Sequence, residues 1–324
     1  MLKDRIIHVI NNMFQNTEYG FEAFVIMKND NTLKRLVLFE GNPLTLPGQA
    51  SESFKEKVNT IIAEFISEDY LAGDAEYEPA ENIADNQNKF YVIEQNDGYR
   101  PFNMLSTPIN NLQTFNMTDR DNAQGLLFMF KRGDIKIWGY QHMYAVTVPN
   151  KSRKSWLSIQ QTETFKEMIL PLFPIAKKVN LLIIGQEIIT KDISLMQRQF
   201  GFETFIRNSA QTVIGDVSEI GLVENIEKLS LYVGRSRLSY AKKMMRIKHS
   251  AVLRMSSEQL LGKVQTLPRW SGKFVIDNNR IVLNTYGHVE NLIDLLDERY
   301  TRSDVTGEEY STEVKRVAPP IEPN

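Results

Sequence analysis

The spacing of apolar residues predicts a helix followed by two strands near the start of the chain. Apolar positions recur every three to four residues over the first twelve or so residues, as in a helix with one buried face. The runs FEAFVIMK and LKRLVLFE have strand length and are separated by the turn-prone NDNT. SESFKEKVNTIIAEFISEDYL then predicts an amphipathic helix with Ser51 or Ser53 as its N-cap.

Strand-like patterns dominate the middle of the chain. NKFYVIEQ, the two halves of GLLFMFKRGDIKIWGY and the run MYAVTVPN predict strands, with a turn at the RGD between the halves. The polar, turn-rich STPINNLQTFNMTDRDN separates the first of these strands from the others. We therefore predict three parts, namely an N-terminal α/β domain (1–114), a C-terminal domain (115–316) and a disordered tail (317–324).

The second half of the chain mixes hairpins with helices. VNLLIIGQEIIT predicts a hairpin that turns near Gly185, and GKFVIDNNRIVLNT predicts a second one over its Asn-Asn pair. Helical spacing continues through four further segments, TETFKEMILPLF, DISLMQRQFG, GDVSEIGLVENIEKLSLYVG and VENLIDLLDERY. The predicted fold class is therefore mixed α+β: a strand-and-helix N-terminal domain, then a mixed domain with two hairpins and several helices.

The amino-acid composition limits the kinds of functional site that the chain can contain. Of 324 residues, 42% are hydrophobic and 24% are charged, which is ordinary for a globular protein that buries a core. There is no cysteine, which excludes disulfides, thiolate nucleophiles and cysteine-bound zinc or iron–sulfur clusters. We find no apolar run of about 20 residues, no signal peptide and no lipidation motif, so any membrane contact is expected to need a partner.

One segment is strongly basic although the chain as a whole has a formal net charge of -2. GRSRLSYAKKMMRIKHSAVLR, from Gly234 to Arg254, contains seven Lys or Arg residues and no Asp or Glu. A helix that continues from Leu238 to Val252 would place Lys242, Lys243 and Arg246 on one arc, opposite an apolar arc.

We predict that this arc faces solvent and binds a polyanion, because no acidic residue within the segment neutralises it, and the candidates are DNA, RNA and an anionic membrane surface. Lys248 departs from the pattern, since the same helical wheel places it among the apolar residues. The predicted DNA-binding residues are the seven cations of the segment: Arg235, Arg237, Lys242, Lys243, Arg246, Lys248 and Arg254.

Two alternatives to DNA binding remain open at this level. A magnesium-dependent nuclease would need clustered carboxylates beside a lysine, and the only suggestive triplet is Glu313-Val314-Lys315, with Asp304 upstream. An adaptor would instead bind its basic helix to an acidic surface, such as the segment SEDYLAGDAEYEPAEN of a second copy. No catalytic residue, metal site or cofactor is predicted, because motifs for nucleotide cradles, metalloproteases and serine hydrolases do not occur in the sequence.

The second half resembles the KwaB family of the Kiwa anti-phage defence systems. The resemblance rests on GLLFMFKRGDIKIWGYQHMY, on the hairpin VNLLIIGQEIIT followed by FGFETF, and on the long segment from GKFVIDNNRIVLNT to TGEEYSTEVKRV. It extends over roughly residues 120–316 and describes a scaffold rather than a catalytic signature.

The resemblance implies a role in defence against phage. It implies a DNA-binding effector that pairs with a small membrane protein of the same system and is not a conventional nuclease. We therefore expect a cytoplasmic chain that is recruited to the inner membrane by that partner and forms homo-oligomers. No family motif assigns the DNA contacts to particular residues.

Overall fold

The computed structural model describes residues 2–15, 18–38, 53–80, 89–96, 98–143, 158–161, 164–167, 175–248, 250–302 and 309–311. Its contacts divide the chain into two compact units. The first comprises Met1–Tyr77, Lys89–Asn96 and Arg100–Asp192, and the second comprises Ile193–Asn324 with two short earlier segments, Glu78–Asn88 and Asp97–Tyr99.

The helices and strands alternate irregularly along the chain, as expected for a mixed α+β fold. The helices are α1 (Leu2–Phe14), α2 (Phe54–Tyr70), α3 (Ile193–Gln199), α4 (Phe202–Glu219), α5 (Ile226–Arg235), α6 (Leu238–Ile247), α7 (Ser257–Thr266) and α8 (Tyr286–Leu296). The strands are β1 (Gly20–Met27), β2 (Leu33–Leu36), β3 (Tyr77–Pro79), β4 (Phe90–Glu94), β5 (Ala123–Arg132), β6 (Ile135–His142), β7 (Ser158–Gln161), β8 (Thr164–Glu167), β9 (Leu181–Ile184), β10 (Glu187–Thr190), β11 (Val223–Glu224), β12 (Val275–Asp277), β13 (Arg280–Val282), β14 (Tyr300–Arg302) and β15 (Glu309–Ser311).

An eight-stranded sheet forms the centre of the first unit, in the order β2-β1-β5-β6-β9-β10-β4-β3. Helices α1 and α2 cover one face, where Ile10 and Ile62 are fully buried with Phe128 of the sheet. Ser53 begins α2 with a capping box that it shares with Glu56, which confirms the second of the two predicted N-caps. Strand β1 pairs with β5, so the sheet takes strands from both sides of residue 114. The division of the chain into domains at 114/115 stays a prediction.

Gly125 of β5 is required by the ring of Tyr140 on the neighbouring strand. A Cβ atom at Gly125 would lie 2.3 Å from Cε2 of Tyr140, a distance that real side chains do not adopt.

The same tyrosine contacts His142. The Tyr140 hydroxyl lies 3.0 Å from Nδ1 of His142, and the His142 backbone N–H donates to the side-chain oxygen of Asn180. His142 is therefore held by contacts of both its ring and its backbone within this part of the sheet.

Both predicted hairpins are confirmed. Strands β9 and β10 pair around Gly185, which has a φ of 58°. Strands β12 and β13 pair around Asn278 and Asn279, whose φ values of 45° and 58° are those of a tight turn with two left-handed residues.

Two predicted helices are wrong. Thr164–Glu167, inside the predicted helix TETFKEMILPLF, is a strand that pairs antiparallel with Ser158–Gln161. The segment GDVSEIGLVENIEKLSLYVG is not one helix but the end of α4, strand β11 and α5. Gly221 and Asn225 cause this division, because both have positive φ and so interrupt a right-handed helix.

Candidate nucleic-acid interface

The basic segment spans the end of α5, the whole of α6 and a short 3-10 helix at Ala251–Arg254. The helix predicted from Leu238 to Val252 therefore ends earlier, at Ile247. Ser250 begins the next turn, where its hydroxyl accepts a hydrogen bond from the backbone N–H of Val252. This local hydrogen bond offers the backbone an alternative to continuing the helix. His249, which lies between the two elements, is outside the described residues.

The middle of the basic segment does not face solvent, so the predicted exposure of Lys242, Lys243 and Arg246 is wrong. Lys242 is only 9% exposed. Lys243 pairs with Asp294 at 3.0 Å, and Arg246 donates to both carboxylate oxygens of Asp297, at 3.3 and 2.8 Å. The Arg246 and Asp297 side chains are only 16% and 11% exposed.

Helix α8 supplies the negative charge that the basic segment lacks. Glu290 and Asp294 of α8 and Asp297 at its C-cap are acidic, and the spacing of four and then three residues places them along one side of the helix. They bind residues 240, 243 and 246 of α6 in the same order, so the two helices run parallel through this contact. We call these six side chains the α6–α8 ladder: Tyr240, Lys243, Arg246, Glu290, Asp294 and Asp297.

The first rung of the α6–α8 ladder is a carboxylate held by two tyrosines. Glu290 accepts hydrogen bonds from the hydroxyls of Tyr232 on α5 and Tyr240 on α6, the second at 2.7 Å. These two hydrogen bonds lower the pKa of the Glu290 carboxyl. The tyrosine rings also meet edge to face, with centroids 5.0 Å apart. This rung therefore ties α5, α6 and α8 together.

Four cations of the segment remain exposed: Arg235, Arg237, Lys248 and Arg254. None of them has an ion-pair partner among the residues that the structure describes. Lys248 is exposed, despite its apolar position on the helical wheel, because it is the C-cap residue of α6 and lies just beyond its last turn. The exposed charge thus lies at the two ends of α6, and the paired charge lies between them.

Arg207 holds the backbone at the end of α5, on either side of Arg235 and just before Arg237. Its guanidinium donates to the backbone oxygens of Val233 and Gly234, both at 3.1 Å, and to that of Ser236 at 3.3 Å. These carbonyls belong to the last turn of α5 and the residue after it, which lack intrahelical partners. Glu203, one turn earlier on α4, holds the same guanidinium at 3.0 Å. Sequence reasoning missed this residue, since nothing in its own segment indicates the contact.

The acidic segment SEDYLAGDAEYEPAEN, which the adaptor hypothesis treats as a docking surface, has part of its charge neutralised within the first unit. Glu68 pairs with Lys177 at 3.0 Å, and this pair raises the pKa of the lysine. Asp69 pairs with Lys191 at 2.8 Å. Because the basic helix α6 has its own acidic partner in α8, an adaptor role would have to use the exposed cations at its ends.

A metal-dependent nuclease receives no support from the described residues. Within these ranges, no group of three or more His, Asp or Glu side chains could hold a metal ion. The triplet Glu313-Val314-Lys315 and Asp304 lie outside the described residues, as does the predicted tail. Over the same part of the chain, no helix combines the length and apolar character that crossing a membrane requires.

Comparison with known proteins identifies the family. A family model described as "Kiwa protein KwaB-like" matches residues 120–306, which is more than half of the chain. No curated protein and no solved structure matches. The match covers β5 and β6. It also covers the helices of the second unit that carry the α6–α8 ladder and the four exposed cations. The chain therefore belongs to the KwaB-like family and is a component of a Kiwa anti-phage defence system.

Proposed function

We propose that this chain is the DNA-binding effector of its defence system and that it contacts DNA through the phosphate backbone. The observation that carries the proposal is the set of four exposed cations at the ends of α6, which have no ion-pair partner among the described residues. Exposed, unpaired Lys and Arg side chains on one segment are the usual means of binding a polyanion.

The spacing of these cations suits a duplex. Arg237 and Lys248 are eleven residues apart, which corresponds to about 16 Å along a helix at 1.5 Å per residue. A DNA strand presents a phosphate about every 3.4 Å of duplex axis, so this distance covers about five phosphates. Phosphate contacts position a protein on DNA but do not read its sequence. We therefore expect largely sequence-independent binding.

The proposal includes a membrane partner. Family membership supports joint action with other proteins of the system, and we propose that a small membrane protein recruits this cytoplasmic chain, as a homo-oligomer, to the inner membrane. Cell fractionation with and without that protein tests the recruitment. We expect the chain in the membrane fraction only when the partner is co-expressed. Its recovery there in the absence of the partner, after a high-salt wash, would contradict the proposal.

DNA binding is tested by removing the four exposed charges together. The variant carries Arg235→Ala, Arg237→Ala, Lys248→Ala and Arg254→Ala, and its control carries Lys→Ala at 57, 131, 178 and 263, four exposed lysines elsewhere. Fluorescence anisotropy with several unrelated duplexes should show the same fold-loss of affinity on each duplex for the first variant. The control should bind like the unaltered chain. Equal affinities for the two variants would place the DNA interface elsewhere.

A further inference from the structure

A cleft of about 480 Å³ opens in the first unit, at the end of the sheet where β6 begins and β9 ends. The turn residues Asp134–Lys136 and Ile184–Gln186 form two of its sides, and residues 100–106 contribute a third. Its volume lies in the range of sites that bind small molecules. It is built from residues of the first unit and is distinct from the DNA interface proposed for the second.

The side-chain amide of Gln95 lines this cleft. Gln95 is only 8% exposed, and its backbone N–H donates to the oxygen of Gln186 at 2.7 Å. Its side-chain amide, in contrast, has no hydrogen-bond partner among the described residues. A side-chain amide that makes no hydrogen bond within the described residues is available to a ligand that offers it both a donor and an acceptor.

Positive charge lies beside the amide. Lys136 lines the cleft and stands directly opposite Lys131 on β5, so two like charges face each other across the strands. Like charges directly opposite each other destabilise a sheet, and a bound anion would reduce their repulsion. Arg100 adds a second cation to the lining, and Asp134 is the one acidic residue there. The cleft is therefore suited to a ligand that carries negative charge.

The inner surface of the cleft is aromatic and aliphatic. Phe102 and Trp138 are 2% and 5% exposed and line the cleft together with Ile184. A ring with hydrogen-bonding groups at its edge would place its faces against these side chains and its edge against Gln95. Glutamine amides pair with base edges in this way, and aromatic side chains favour contact with bases.

We propose that this cleft binds a nucleoside phosphate. The base contacts Phe102 and Trp138 and hydrogen-bonds to the amide of Gln95, and the phosphate binds at Lys136 and Arg100. The ligand has two possible sources with the same chemistry, a free nucleotide or the terminal nucleotide of a nucleic acid strand.

Isothermal titration calorimetry of the full chain with AMP, GMP, CMP and UMP tests this proposal. At least one of these nucleotides should bind, and its nucleoside should bind about tenfold more weakly because the charge-assisted phosphate contacts are lost. A 5′-phosphorylated trinucleotide, titrated into the variant that lacks the four exposed cations of α6, distinguishes the sources: binding of the trinucleotide alone assigns the cleft to strand ends, and binding of the mononucleotide assigns it to free nucleotides. Absence of binding by all of them at millimolar concentration would overturn the proposal.

Variants separate the cleft from general electrostatic attraction. Gln95→Leu and Lys136→Glu should each weaken nucleotide binding about tenfold, whereas Lys57→Glu, at an exposed lysine of α2, should change it less than about twofold. The melting temperature of unliganded Gln95→Leu should not fall, since the lost amide has no partner in the described structure. Unchanged nucleotide affinity in both cleft variants would contradict the site. Failure of the DNA interface on α6 would leave all of these results unaffected.

Discussion

Arg246 holds both carboxylate oxygens of Asp297, at 3.3 and 2.8 Å, although the two residues are 51 positions apart in the chain. The sequence predicts that Arg246 contacts DNA, but in the structure its guanidinium is bound to a carboxylate of its own unit. The same is true of Lys243 and Asp294. The centre of the basic segment thus stabilises the packing of α6 on α8, and its ends remain available to a partner.

Breaking the Arg246–Asp297 pair should destabilise the fold. For a pair that is largely but not fully buried, we expect Arg246→Ala to lower the free energy of unfolding by about 1–3 kcal/mol, between the values for exposed and buried pairs. Urea denaturation of both single variants and the double variant measures the coupling. Arg254→Ala, at an exposed cation, should cost less than about 0.5 kcal/mol. Equal losses at positions 246 and 254 would contradict this role.

Glu290 should make stability depend on pH on the acidic side. Hydrogen bonds from Tyr232 and Tyr240 lower the pKa of its carboxyl below the ordinary value of 4.5, so the folded state holds the ionised form more strongly than the unfolded state does. This contribution is complete above the ordinary pKa and disappears as the pH falls through the lowered one. Thermal melting between pH 7 and pH 3 should therefore show a smaller loss for Glu290→Gln than for the unaltered chain. An identical pH profile would disprove the contribution.

Gly125→Ala should be strongly destabilising for its size. The added methyl group would meet the Tyr140 ring at 2.3 Å, and overpacking of this kind costs about 1–3 kcal/mol. Combining it with Tyr140→Leu should recover part of that loss, because the ring is then absent. Gly73→Ala is the control, since no atom lies within 4 Å of its Cβ position. Urea denaturation distinguishes these variants, and equal stability of the two alanine variants would refute the close contact.

Arg207→Ala should affect both stability and DNA binding. Three backbone carbonyls at the end of α5 lose their donor, which we expect to cost about 1–3 kcal/mol. The segment that carries Arg235 and Arg237 then loses its anchor, so affinity for DNA should fall even at temperatures where the protein stays folded. Glu203→Ala leaves the carbonyl contacts in place and should have the smaller effect on DNA affinity. The reverse order would contradict this account of Arg207.

Short sequence patterns correctly predicted the elements whose conformation is set by residues within the same segment. Gly185 and the pair Asn278 and Asn279 indicated the two hairpins, because tight turns need residues that adopt positive φ. Gly221 and Asn225 have the same property, and the segment predicted as one helix is therefore the end of one helix, a strand and a second helix. The sequence does contain a signal for this division, since Gly and Asn are the usual residues at such breaks.

The site could be predicted only in part, because the helical wheel of α6 shows which face is charged but not what packs against it. The partner α8 lies about fifty residues later, and its acids at 290, 294 and 297 follow a spacing that complements residues 240, 243 and 246. Comparing the charge spacing of separate helices would have indicated the α6–α8 ladder. Arg207 offered no such pattern, since its acceptors are backbone carbonyls that no sequence motif marks.

The salt dependence of duplex binding tests the central claim most directly. Each phosphate that a cation neutralises contributes about -0.9 to the slope of log K against log salt, so four exposed cations predict a slope of about -3.6. The variant that lacks Arg235, Arg237, Lys248 and Arg254 should show a nearly flat dependence on salt. A flat dependence in the unaltered chain, or an unchanged slope in the variant, would contradict DNA binding by the ends of α6.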